Sequence, residues 1–274
     1  MIKKLIVVLI ILISIILSGC NKPPDVVTYR AFVTGAEDYL YFSSMDLTSA
    51  GYNVERLKEV FSLCKFTEGE IKFSVINTLR HKEATKKAIL DGIVSTFGEA
   101  EDDDISYFYF MGHGGVRDGQ PIFCPTDYTG AIASTITLKE LEDAFDKIKG
   151  TKILFFESCH SGNFIEKGNN YLRNFNRLII GSFDTKAFNK GNYKVITSCK
   201  DEQTCWTSGT MSYFTMGIYE GCKDLKADID KDKIVNLSEL YQYTIDWVDD
   251  HICQCKDQDA QMYPEGSTFP IVEY

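Results

Sequence analysis

Lys152-Ile153-Leu154-Phe155-Phe156-Glu157-Ser158-Cys159-His160-Ser161-Gly162 is the stretch from which this chain is read. A short apolar run gives way abruptly to polar and small residues, the pattern of a buried strand that ends at a loop. Ile105–Met111 repeats the pattern and stops at Gly112-His113-Gly114-Gly115. Working outward, Tyr29–Thr34, Ile71–Ile76 and Tyr193–Thr197 read as further strands. Between them lie helical periodicities. In Ala50–Cys64, residues Val54, Leu57, Val60, Phe61 and Cys64 share one side. In Thr85–Phe97, Thr85 is the expected N-cap and Ile89, Ile93 and Phe97 recur every fourth position. Leu138–Ile148, Met211–Cys222 and Leu237–Val248 complete the helices. Strands alternating with helices predict an α/β fold, a mostly parallel sheet with helices on both faces. His113 and Cys159 then fall just past the C-terminal ends of two strands, at the edge where open α/β sheets bind ligands.

That placement suggests chemistry. A cysteine nucleophile acts as thiolate and needs a neighbour to take its proton. Of His81, His113, His160 and His251, only His113 stands at a strand end followed by two glycines, which let a substrate approach the backbone. His160, adjacent in the chain to Cys159, is expected to point elsewhere. The backbone N–H groups of Gly114 and Cys159 are candidates for an oxyanion hole. A single cysteine is more often a small buried hydrophobe; the histidine at the same edge shifts the balance.

Phe110-Met111-Gly112-His113-Gly114-Gly115 and Phe155-Phe156-Glu157-Ser158-Cys159-His160-Ser161-Gly162 resemble the two catalytic motifs of the metacaspases and the wider caspase-like clan. Leu47–Leu57, Phe123-Cys124-Pro125-Thr126-Asp127, Ser198-Cys199-Lys200-Asp201-Glu202-Gln203-Thr204, Phe214-Thr215 and Gln261-Met262-Tyr263-Pro264 resemble further landmarks, so the likeness spans about residues 28–266. It implies a three-layer caspase-haemoglobinase fold with a mostly parallel sheet of about six strands. It also implies an endopeptidase that forms a thioester, with Cys159 as nucleophile and His113 as base and later acid. No cofactor is required for that chemistry.

Glu157 stands where metacaspases usually carry the Asp that lines S1 and favours Arg or Lys at P1. A carboxylate facing a guanidinium suits such a pocket. The family's second acidic position corresponds to Asn53, and Asp201 is a candidate for the rim. Legumain-type enzymes carry Glu at the first position and take Asn. Arg or Lys is the expectation, with Asn as the alternative. Ser161–Lys190 matches the family's inter-subunit region, and Arg173 and Arg177 are candidate self-processing sites.

Asp228, Asp230, Asp232, Ile234, Asn236 and Glu239 follow the spacing of an EF-hand-like calcium loop, with Lys233 where glycine normally makes the turn. Asn236-Leu237-Ser238-Glu239 equally reads as a capping box for the following helix.

At the N-terminus, Lys3-Lys4 precede the apolar run Leu5–Leu17, which ends in Leu17-Ser18-Gly19-Cys20. This layout is a secretory signal, and its end resembles the lipobox of bacterial lipoproteins. The expected organisation is a signal peptide over 1–19, a lipidated tether over 20–27 and a peptidase domain over 28–274. The resemblance implies cleavage before Cys20, a lipid on its thiol, and a membrane anchor at the cell surface or outer membrane. The formal charge of −10 disfavours nucleic-acid binding and is no obstacle to a basic peptide; peptide or protein substrates are what the family resemblance implies. Nine cysteines without a Cys-x-x-Cys argue against a thiol redox enzyme, and their spacing assigns no disulfide. A catalytically silent surface protein that binds a partner through the same cleft is the remaining alternative.

Overall fold

The structure is a computed structural model and describes residues 26–117, 120–160, 192–199 and 203–274. In chain order its main elements are β1 (Tyr29–Gly35), α1 (Thr48–Leu63), β2 (Phe73–Leu79), α2 (Lys86–Phe97), β3 (Ile105–Arg117), β4 (Gln120–Cys124), β5 (Ile136–Thr137), α3 (Leu138–Phe145) and β6 (Thr151–His160). Then follow β7 (Tyr193–Thr197), α4 (Tyr213–Lys223), β8 (Ile234–Asn236), α5 (Leu237–His251), β9 (Gln261–Tyr263) and β10 (Pro270–Glu273). The principal sheet runs β2-β1-β3-β6-β7-β9. Its first five strands are parallel and β9 is antiparallel to β7. β8 and β10 form a separate antiparallel pair.

Alternation along the central strands builds three layers. Phe108, Phe110, Leu154 and Phe156 pack on one face with Ile89, Ile93 and Phe97 of α2 and Leu141 and Phe145 of α3. Tyr107, Tyr109, Met111, Ile153 and Phe155 pack on the other with Val54 and Leu57 of α1, Phe214 and Ile218 of α4, and Leu240 of α5. Full burial of such side chains stabilises by about 1.5–3 kcal/mol each. Local signals set the helix starts. The Thr85 hydroxyl accepts from the Ala88 N–H at 3.3 Å. Thr137 and Glu140 form a capping box at α3, as do Asn236 and Glu239 at α5.

The structure corrects one expectation about the site's setting. β3 and β6 do not stop before the candidate residues but continue through them, to Arg117 and His160. The reason is pairing. β1 ends opposite Met111, and β4 folds back antiparallel into the vacated place beside β3, with His113 opposite Cys124. Gly114 and Gly115 therefore continue a strand where the sequence reads as a stop. No described helix is long and apolar enough to cross a membrane. The N-terminal segment with Cys20 lies outside the described residues.

Candidate active site

Parallel pairing of β3 with β6 sets His113 directly opposite Cys159, one step beyond Gly112 opposite Ser158. Two residues far apart in sequence thus become Cα partners at the C-terminal edge of the sheet. Glycine at 114 is required by packing: a Cβ there would meet the Ser158 Oγ at 2.7 Å and its Cβ at 2.8 Å.

The loop between β1 and α1 orients His113. Ala36 N–H bonds the Met111 carbonyl at 2.8 Å, Leu40 N–H bonds that of Thr126 at 2.8 Å, and Leu47 N–H bonds that of Glu37 at 2.8 Å. The Asp46 carboxylate accepts the Tyr39 N–H at 2.8 Å. So tied, the loop presents two groups to His113. The Tyr39 hydroxyl accepts the His113 N–H at 3.1 Å and donates to the Cys124 carbonyl at 3.0 Å, bridging β3 and β4. The Met45 carbonyl lies 2.8 Å from His113 Nε2. A carbonyl only accepts, so Nε2 carries the proton, and in the neutral ring Nδ1 keeps its lone pair. Burial lowers the His113 pKa below its usual value, and the Met45 contact offsets only part of that. The imidazole is held neutral, one tautomer selected, as a general base requires.

Two residues before Cys159, Glu157 is buried on the α1–α4 face. Its Oε2 accepts from the Tyr109 hydroxyl at 2.8 Å, the Thr215 hydroxyl at 2.6 Å and the Asn53 amide at 3.1 Å. Asn53 also takes the Ser212 N–H on its oxygen at 3.3 Å. Ser212 caps α4, accepting the Thr215 N–H at 3.2 Å. Glu157 Oε1 has no hydrogen-bond partner among the described residues. Burial raises the Glu157 pKa, against the pull of hydrogen bonds from Ser212, Thr215, Tyr109 and Asn53. Of the expected pocket residues, Glu157 and Asn53 are brought together. Asp201 lies outside the described residues, as do Arg173 and Arg177.

Sequence reasoning missed Tyr39, the Met45 carbonyl, Tyr109 and Ser212, and named Thr215 only as a landmark. Ser212 ahead of a helical periodicity was a legible cap signal; a backbone carbonyl has no residue signature.

The acidic loop precedes β8, a strand outside the principal sheet. One carboxylate oxygen from each of Asp228, Asp230 and Asp232 falls within 4.8 Å of the others. Lys233 adopts the left-handed conformation, φ +73°, that glycine usually supplies. Glu239 already accepts the Ile229 and Asn236 N–H groups, each at 3.0 Å. A second group, Glu37, Asp38 and His81, gathers beyond β1 and β2. The Arg80 guanidinium, 3.6 Å from Glu37, makes it an ion-pair cluster, since a cation already faces the carboxylate.

A family model described as the caspase domain matches residues 28–240. No curated protein matches the sequence. Among solved structures, a protein from Geobacter sulfurreducens is similar at 17% identity and a TM-score of 0.59, covering 89% of this chain and 97% of its own. Caspase-1 from Spodoptera frugiperda is similar at 15% identity and a TM-score of 0.58, covering 90% of this chain and 89% of its own. At these identities the likeness to solved structures is one of fold.

Proposed function

This chain belongs to the caspase-domain family of cysteine peptidases, and from that premise we propose that it is an active endopeptidase of metacaspase type, with Cys159 as nucleophile and His113 as base. The carrying observation is the β3–β6 register that pairs His113 with Cys159 while Met45 holds the far nitrogen of the imidazole. In the proposed reaction, His113 Nδ1 takes the thiol proton and the thiolate attacks the scissile carbonyl. The N–H groups of Cys159 and Gly114 receive the oxyanion. His113 then protonates the leaving amine, and water releases the acyl group from sulfur.

The substrate is proposed to be a peptide or protein with Arg or Lys at P1. The motivating feature is a carboxylate, Glu157, buried two residues before the proposed nucleophile. Asn at P1 is the second reading: an amide, Asn53, stands in the second acidic position, and the resemblance to legumain-type enzymes includes Glu at the first. A panel of P1 peptides separates the two, and a catalytically silent protein would cleave neither.

Export and lipidation at Cys20 are proposed from the N-terminal sequence alone. Incorporation of an alkyne-tagged fatty acid in cells, abolished in Cys20→Ala, is the expected result; equal labelling of that variant would refute it. Ca2+ is proposed for the Asp228–Asp232 loop as a structural ion outside the chemistry, because its ligands are all hard oxygens.

A further inference from the structure

Beyond β7, Ser198 and Cys199 lie beside Cys205. The two thiols meet there. Cys199 Sγ and Cys205 Sγ are 3.2 Å apart, and both residues are buried, 2% and 4% exposed. A disulfide bond is about 2.05 Å long, so an approach of only about 1.2 Å separates this pair from bonding distance.

The backbone is clamped independently of the sulfurs. The Gln258 amide donates to the Ser198 carbonyl at 3.2 Å and accepts the Trp206 N–H at 2.8 Å, gripping the residues just outside the pair. Gln203 donates to the Asp259 carboxylate at 2.7 Å and accepts the Asp259 N–H at 2.8 Å. The segment holding Gln258 and Asp259 therefore fixes both sides of the pair at the spacing that brings the sulfurs together.

The pair also abuts the nucleophile's strand. Cys205 Sγ lies 3.1 Å from the Ser158 carbonyl oxygen and Cys199 Sγ 4.0 Å from the same atom. That oxygen belongs to the peptide whose N–H is that of Cys159.

We propose that Cys199 and Cys205 form a disulfide that locks these two residues together beside the strand carrying Cys159. Two S–H bonds break and one S–S bond forms. Two electrons and two protons pass to the disulfide of an oxidoreductase, or of oxidised glutathione, which becomes two thiols. Oxidation withdraws the Cys205 S–H from the Ser158 carbonyl and replaces it with a covalent tie between the two residues. An exported chain folds where such exchange proceeds. Since both thiols end up buried, the bond forms as these residues pack and is afterwards shielded from reductants.

The test uses the full chain, refolded in mild detergent across glutathione buffers from reducing to oxidising. Free thiols are then capped with iodoacetamide in denaturant and the protein is digested with trypsin. Cleavage after Lys200 separates Cys199 from Cys205 unless they are bonded. The expected result is a linked peptide pair that splits on reduction and is absent from Cys205→Ser, while exposed Cys253 and Cys255 report how completely free thiols are capped. Recovery of Cys199 and Cys205 as alkylated thiols under oxidising refolding, or either one joined to a different cysteine, overturns the assignment. Peptidase activity, assayed separately in reductant, is untouched by either outcome.

Discussion

His113 Nε2 stands 2.8 Å from the carbonyl oxygen of Met45. The contact joins a side chain of β3 to the backbone of a loop 68 positions earlier, and it decides which imidazole nitrogen carries the proton and which keeps its lone pair. The third participant in the proposed base is therefore a main-chain group, held in place by Tyr39, Asp46 and Glu37 through the loop's own hydrogen bonds.

Tyr39 is the part of that support most open to mutation. Tyr39→Phe keeps the ring beside His113 and removes the hydroxyl that bridges the His113 N–H to the Cys124 carbonyl. Weakening two buried hydrogen bonds is expected to cost about 1–3 kcal/mol, or a fall in Tm of about 2–4 °C per kcal/mol for a domain of this size. With the hydroxyl engaged by the His113 N–H and the Cys124 carbonyl, its loss is expected to lower kcat while KM holds. Unchanged Tm and kcat would show that the bridge does not position His113.

The lowered pKa of His113 fixes the sign of a pH effect. The unfolded residue binds a proton more readily than the folded one, so the contribution to stability is full above about 6.5. It is lost as pH falls from there through the lowered folded value. The acid limb of kcat/KM is expected below 6.5 for the same reason. A pH series of kcat/KM, together with urea unfolding, checks both; an acid limb above 6.5 would contradict a base held neutral by burial.

Glu157 carries the opposite sign. Its folded pKa is raised by burial, so stability falls as pH rises from about 4.5 through the folded value and stays lower above it. Glu157→Gln retains an amide oxygen for Tyr109 and Thr215 and carries no charge. We expect the variant to melt higher than wild type at neutral pH and to lose that advantage near pH 4. At the same time, cleavage after Arg is expected to fall on the order of 100-fold, as when one member of a buried ion pair is removed. Undiminished Arg cleavage by the variant would take Glu157 out of the S1 reading.

For the acidic loop, Ca2+ is expected to raise the Tm of the full chain, and Asp228→Asn with Asp230→Asn to abolish that rise. The three carboxylates crowd one another without a cation, so the double variant should melt no lower than wild type in chelator. An equal Ca2+ response in both proteins would place the ion elsewhere.

The sequence carried the layers of the fold because period-two and period-3.6 patterns are strong in its long apolar segments. Ile105–Met111 and Lys152–Phe156 were readable as buried strands, and Thr85 and Asn236 as caps. Their extensions were not. Gly114-Gly115 reads as a break unless one knows that β4 returns to pair with it, and hairpin pairing is a non-local property. The meeting of Glu157 with Asn53 was anticipated only through the family resemblance. Tyr109, the residue that hydrogen-bonds both, looked like one more aromatic in an apolar strand. Tyr39 and Met45 sit in a loop without periodicity, and their roles arise from where that loop is tied.

The central claim is best tested with fluorogenic peptides bearing Arg, Lys, Asn or Asp at P1, assayed on the full chain in reductant beside Cys159→Ala and His113→Ala. The account predicts cleavage after Arg or Lys that vanishes in both variants, along with any nicking at Arg173 or Arg177 in Cys159→Ala. Cleavage that survives in either variant, or none by a folded and thiol-reduced wild type, would contradict it.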